Sequence, residues 1–164
     1  MKTNALTTLE EAKAWLRSHF KKGATCPCCG QFVKLYKRSL NSSMAVALLL
    51  IHKHYMRNPG DGFIHVPSYL SSCVSTATVR GGDWAKLQYW GLIESDKEKR
   101  EDGSKRSGYW KITPAGTAFV RGDIRVAKYV YLYNSKPTRM QCHEDVSIYE
   151  ALGKKFNYQE LMRG

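Results

Sequence analysis

Apolar positions recur at helical spacing from the start of the chain. Leu9, Ala12, Leu16 and Phe20, with Trp15 beside them, predict a helix over residues 8–22. Thr8-Leu9-Glu10-Glu11 opens it as a capping box, because the Glu11 carboxylate reaches back to the Thr8 amide, and Gly23 stops it. After a compact Thr25-Cys26-Pro27-Cys28-Cys29-Gly30-Gln31 segment, residues 32–38 alternate as a short strand. Residues 40–57 are apolar on most sides, which predicts a buried helix capped by Asn41 or Ser42. Asn58-Pro59-Gly60-Asp61-Gly62 is a loop by composition, Phe63 to Val66 a four-residue strand, and Pro67 the start of a short helix through Ser72.

A turn over residues 75–78 leads to a second helix ending at Trp90, with Gly91 as its left-handed cap. Leu92-Ile93-Glu94 begins a strand, residues 97–107 form a charged hairpin tip, and residues 108–113 return. Pro114 begins another helical turn ending near Gly122. Residues 124–133 read as strand from their Val and Tyr content, and short helices are expected around 148–152 and 158–162.

The order helix, strand, helix, turn, helix, strand, charged hairpin, strand is that of a winged helix-turn-helix. The wording resembles MarR- and PadR-type regulators in Lys86-Leu87-Gln88-Tyr89-Trp90-Gly91-Leu92-Ile93-Glu94, in Glu101-Asp102-Gly103, and in Ile112-Thr113-Pro114-Ala115-Gly116. The resemblance covers about half the chain. It implies an α+β fold with a winged helix-turn-helix core over 40–122. Around that core lie an N-terminal helix and Cys knuckle over 1–39 and a strand with a small C-terminal extension over 123–164. It also implies a second helix that enters the major groove through Arg80, Lys86 and Gln88, and a wing that meets the backbone through Lys97, Lys99, Arg100, Lys105 and Arg106. Gly81-Gly82-Asp83 departs from the pattern. Two glycines cost about 1 kcal/mol each inside a helix, so the helix is expected to begin near Asp83, which would cap it. An acid there shifts the expected contacts from base edges to the phosphate backbone.

Charge strengthens the nucleic-acid reading. Twenty-six Lys and Arg against 14 Asp and Glu give +12, a potential that attracts polyanions. Basic runs fall at Lys21, Lys22, Lys34, Lys37 and Arg38, and again at Arg121, Arg125, Lys128, Lys136 and Arg139. Double-stranded DNA is the expected partner of a small regulator, with dimerisation through flanking helices as one option. The alternative is a protein-interaction module that inhibits a host complex, a defence system among the options, because the layout loosely resembles small bacteriophage-encoded proteins.

Five cysteines, three of them within four positions, suit reduced thiols better than disulfides. Cys26-Pro27-Cys28-Cys29-Gly30 contains a C-x-x-C knuckle of the kind found in zinc ribbons and treble clefs. A zinc ion held by Cys26, Cys29, Cys142 and His143 is the expectation. Cys28, Cys73, His52 and His54 are the other candidate ligands, and a metal-free turn with buried thiols is the alternative. His52 and His54 otherwise read as polar edges of their helix. No phosphate-cradling, nucleophile-elbow or zinc-protease motif is present and the aspartates are scattered, which points to a binder and not an enzyme. The longest apolar stretch, residues 44–51, is far short of a membrane span, and the N-terminus has no signal-peptide core. A cytoplasmic protein is expected.

Overall fold

A computed structural model describes residues 7–73, 79 and 81–163. Helix α1 (Leu9–His19) begins as its capping box requires: the Thr8 amide donates to the Glu11 carboxylate at 2.7 Å, and the Thr8 hydroxyl accepts from the Glu11 amide. It ends earlier than its periodicity suggests. The Lys22 and Gly23 amides both turn back to the His19 carbonyl, and Gly23 takes a φ of +101°. Strands β1 (Ala24–Thr25) and β2 (Phe32–Val33) form a hairpin around the cysteines. The single strand expected over 32–38 is instead two. Leu35 is buried and its amide donates to the Phe20 carbonyl at 2.9 Å, which diverts the chain before β3 (Tyr36–Ser39).

Helix α2 (Ser42–Arg57) is capped by Asn41, whose side chain accepts the Met44 amide. Every residue from Met44 to His52 is buried, so α2 runs through the core of the compact unit that contains it. His52, expected at a polar edge, is 3% exposed and belongs to this core. Strand β4 (Ile64–His65) leads directly into α3 (Val66–Cys73). The expected turn over 75–78 lies outside the described residues.

The next helix, Asp83–Trp90, is 3-10 and not α-helical. Three residues per turn stack positions i and i+3, and Trp84 and Leu87 follow that spacing into the interior, with Trp90 half-buried below them. Gly82 precedes the helix with no side-chain cap, so Asp83 lies in the first turn and does not cap it. Gly91, at φ 69°, closes it as expected.

Strands β5 (Ile93–Ser95) and β6 (Tyr109–Ile112) are antiparallel, with Ile93 opposite Ile112, and β4 pairs with the other edge of β6. The Thr113 side chain caps α4 (Pro114–Val120) by accepting the Gly116 amide at 3.0 Å. The strand expected over 124–133 is divided between two sheets. Strand β7 (Val126–Ala127) pairs with β10 (Asp145–Val146). Strand β8 (Tyr129–Tyr133) lies between β3 and β9 (Lys136–Pro137). Lys128 marks the division: its amide donates to the Glu144 carbonyl and its carbonyl accepts the Leu40 amide. Helices α5 (Ile148–Leu152) and α6 (Tyr158–Met162) stand where their patterns place them, α5 with a Ser147–Glu150 capping box.

The fold is therefore α+β, with several helices and small antiparallel sheets. It divides into two compact units. The first contains Met1–Arg38 and Val130–Gln141, and the second Ser39–Tyr129 and Cys142–Gly164. Among the described residues no helix is long and apolar enough to cross a membrane.

Candidate nucleic-acid interface and cysteine knuckle

In the second unit the hairpin between β5 and β6 is held at its base by a buried carboxylate. Asp96 is 5% exposed, accepts the Glu98 amide at 2.9 Å, and receives the Arg106 guanidinium at 3.2 Å. Arg106 also lies over the Tyr109 ring, 3.9 Å from its centroid. Arg106 thus anchors the hairpin and is half-buried, while Lys97, Lys99, Arg100 and Lys105 are exposed. At the tip Lys99 bridges Lys105, the Arg100 amide donates to the Ser104 carbonyl at 2.7 Å, and Gly103 at φ +81° makes the turn. Asp102 accepts both the amide and the hydroxyl of Ser104, which hold its carboxyl below the usual range. A short, braced loop therefore presents four lysine and arginine side chains to solvent.

The 3-10 helix offers less. Lys86 is paired to Asp83 one turn earlier, Gln88 is exposed, and Arg80 lies outside the described residues. Its other face is committed to packing: Trp84 meets Trp110 edge-on at 5.6 Å, and the Trp90 indole donates to the Ala127 carbonyl at 2.6 Å. The second basic run is also divided. Arg125 pairs with Glu150 at 2.8 Å and Lys128 with Glu144 at 3.2 Å, whereas Lys136 and Arg139 belong to the first unit.

The first unit carries charge that the linear sequence disguises. Its ten Lys and Arg stand against only Glu10 and Glu11, a net of +8 out of the chain's +12. The run Lys21 to Arg38 and the later Lys136 and Arg139 come together only because Val130–Gln141 joins this unit.

The cysteines occupy the β1–β2 turn of the same unit. The Cys26 amide donates to the Gln31 carbonyl at 2.7 Å, the Gly30 amide to the Cys26 carbonyl at 2.9 Å, and Gly30 takes φ +73°. This folding aims the amides of Cys29 and Cys28 at the Cys26 sulfur, and those donors hold its thiol below the ordinary cysteine range. Desolvation, and then the neighbouring Cys26, push the Cys28 thiol up. The turn therefore supplies the donor geometry of a thiolate knuckle. Cys142 and His143 belong to the second unit, where the Cys142 thiol donates to the Glu144 carbonyl at 3.2 Å and His143 is exposed. Among the described residues no three His, Cys, Asp or Glu side chains form a group that could hold a metal ion.

Sequence reasoning missed two histidine arrangements. His54 pairs with Asp61 at 2.8 Å between the rings of Tyr55 and Tyr69. His65 bonds the Ser68 hydroxyl at 2.6 Å and packs against Tyr109, with Gly108 so close that a Cβ there would lie 2.7 Å from its Nε2. Only the His65-x-x-Ser68 spacing at the head of α3 was a sequence signal for either. The sequence matches no protein-family model, and neither a curated protein nor a solved structure matches the chain.

Proposed function

We propose that this protein binds nucleic acid, with the second unit acting as a winged helix-turn-helix module that grips the phosphate backbone of double-stranded DNA, as a small regulator would. The observation that carries the reading is the braced hairpin: Lys97, Lys99, Arg100 and Lys105 project from a tip whose fold is fixed by Asp96, Arg106 and Asp102. In support, α2 precedes β4, α3 and the 3-10 helix follow β4, and the β5–β6 hairpin comes last, with β6 between β4 and β5 in the sheet. Lys86 and Gln88 contribute less to base reading than their sequence positions suggest, since Asp83 already engages Lys86.

The knuckle adds a second part to the proposal: Cys26 and Cys29 serve as ligands of a structural zinc ion. Zinc would cross-link the turn and draw both sulfurs into the thiolate state, which amide donors already favour at Cys26.

The test is duplex binding at 50 and 200 mM salt by the native protein and by a Lys97→Gln, Lys99→Gln, Arg100→Gln, Lys105→Gln variant. Four phosphate contacts contribute a slope of about −3.6 to log K against log salt, or roughly a 150-fold change over that range. The variant is expected to lose that part of the salt dependence. An unchanged slope, or no duplex binding at low salt, overturns the proposal. A second reading, a protein partner in a host complex, draws on the Asp83–Lys86 pair, which withdraws a cation from the groove-facing helix. Capture of the same partner before and after nuclease treatment would favour it.

A further inference from the structure

The strongest concentration of positive charge belongs to the first unit, not to the unit that carries the hairpin, and that first unit also has exposed aromatic rings. In the first unit a cavity of about 220 Å³ is lined by Leu16 and Phe20 of α1, Val33 of β2 and Tyr133 of β8, with Lys13 and Arg17 beside them. Residues 13, 16, 17 and 20 fall at i, i+3, i+4 and i+7, so one face of α1 carries both the apolar wall and the two cations. Phe20 and Tyr133 meet edge-to-face at 6.2 Å, leaving a ring-lined recess open to solvent. The volume is below the roughly 300–1,000 Å³ of pockets that enclose a whole small molecule. One planar ring fits that scale.

The surroundings extend the pattern. Phe32 is 65% exposed, Tyr36 56% and Tyr133 44%, while the Lys34 ammonium stands 5.8 Å from the centre of the Tyr36 ring. Rings left in water beside cations are what a single-stranded nucleic acid uses: bases stack on aromatic faces and phosphates follow the positive groove. A duplex keeps its bases paired and stacked, so it would engage only the cations. A peptide of acidic residues alone would engage them too, but it offers no flat ring to the recess.

We propose that the first unit binds single-stranded nucleic acid, seating one unstacked base in the recess of Leu16, Phe20, Val33 and Tyr133 and an adjacent phosphate on Arg17, with Lys13 beside it in an exposed pair with Glu10. The site is separate from the β5–β6 hairpin and does not depend on that hairpin binding DNA.

Fluorescence anisotropy of the full chain with fluorescein-labelled dT15 and a labelled 15-base-pair duplex tests the proposal. Tyr133→Ala is expected to weaken dT15 binding by about 5- to 140-fold, the range that loss of one stacking contact implies. Duplex affinity should stay within about twofold. Tyr133→Phe should retain dT15 binding. Arg17→Gln, at an exposed position, should reduce the dT15 salt slope by about 0.7, which keeps the test decisive if Tyr133→Ala does not fold. The four-residue hairpin variant should leave dT15 affinity unchanged, so failure of the hairpin reading is distinguishable from failure of this one. The proposal is overturned if the native chain does not bind dT15 at low salt. It is equally overturned if folded Tyr133→Ala binds dT15 normally, or if poly-glutamate displaces labelled dT15 as well as unlabelled dT15 does.

Discussion

Replacing Gly116 by alanine separates two accounts of a glycine inside a helix. Gly116 lies within α4, where alanine is ordinarily the better residue by about 1 kcal/mol. An added Cβ, however, would sit 2.1 Å from the Leu92 carbonyl oxygen and 2.8 Å from Cγ1 of Ile112, where ordinary contact starts near 3.4 Å. The Ile112 side chain has rotamers to use. The Leu92 carbonyl has none, since it accepts the Thr113 amide at 3.1 Å and Leu92 itself is fully buried. Either α4 lifts from β5 or that hydrogen bond lengthens. Overpacking of this kind costs about 1–3 kcal/mol and a weakened hydrogen bond about 1 more. After the gain in helix propensity, Gly116→Ala should be destabilised by about 1–3 kcal/mol. For a chain of this size that corresponds to a melting temperature lower by roughly 2–12 °C. Thermal and urea unfolding followed by circular dichroism measure it. A variant as stable as the native protein, or more stable, refutes the close-approach argument, because simple helix propensity predicts that sign.

Two further outcomes follow from buried and cysteine groups. Burial, with a smaller contribution from Arg121, holds the His52 pKa below its ordinary value of 6.5. The unfolded chain therefore takes up the proton first, so this contribution to stability is constant above about pH 6.5 and declines as pH falls from there towards the folded-state pKa. Urea midpoints between pH 8 and 5 should fall for the native protein and flatten over that window in His52→Leu; identical profiles would remove His52 as the cause. For the knuckle, metal analysis of protein purified in zinc-supplemented medium without chelators should find about one zinc per chain, and Cys26→Ser and Cys29→Ser should each lose it. Metal-free native protein would eliminate the zinc proposal.

Features decided within a few residues were readable in the sequence. Thr8 with Glu11, Asn41, Thr113 and Gly91 each act through contacts no more than four residues away, and each caps as its local pattern indicates. Features decided by distant partners were not. Residues 32–38 and 124–133 each look like one strand because every position suits a strand. Their division follows from Leu35 bonding to Phe20 and from Lys128 bonding to Leu40 and Glu144, which periodicity does not encode. The 3-10 form of residues 83–90 was concealed for a related reason. Trp84, Leu87 and Trp90 at intervals of three satisfy an α-helical stripe as well as a 3-10 one. His52 was misplaced because its neighbours Lys53 and His54 suggested a polar edge, whereas α2 is enclosed as far as residue 52 itself.

Net charge alone would send a polyanion anywhere on this molecule, and ion pairing is what makes the distribution informative. In the second unit Lys86, Arg106, Arg125 and Lys128 are each engaged by a carboxylate, whereas Lys97, Lys99, Arg100 and Lys105 of the β5–β6 hairpin tip are exposed. The first unit lacks the means for such compensation. Glu10 and Glu11 are its only acids, Glu10 pairs with Lys13, and Glu11 is occupied by the Thr8 cap. Internal pairing can therefore neutralise at most two of its ten cations. Mutual repulsion among so many like charges is screened by salt and relieved further by a bound polyanion, which is why the recess beside Arg17 and Tyr133, as much as the hairpin, carries the functional reading.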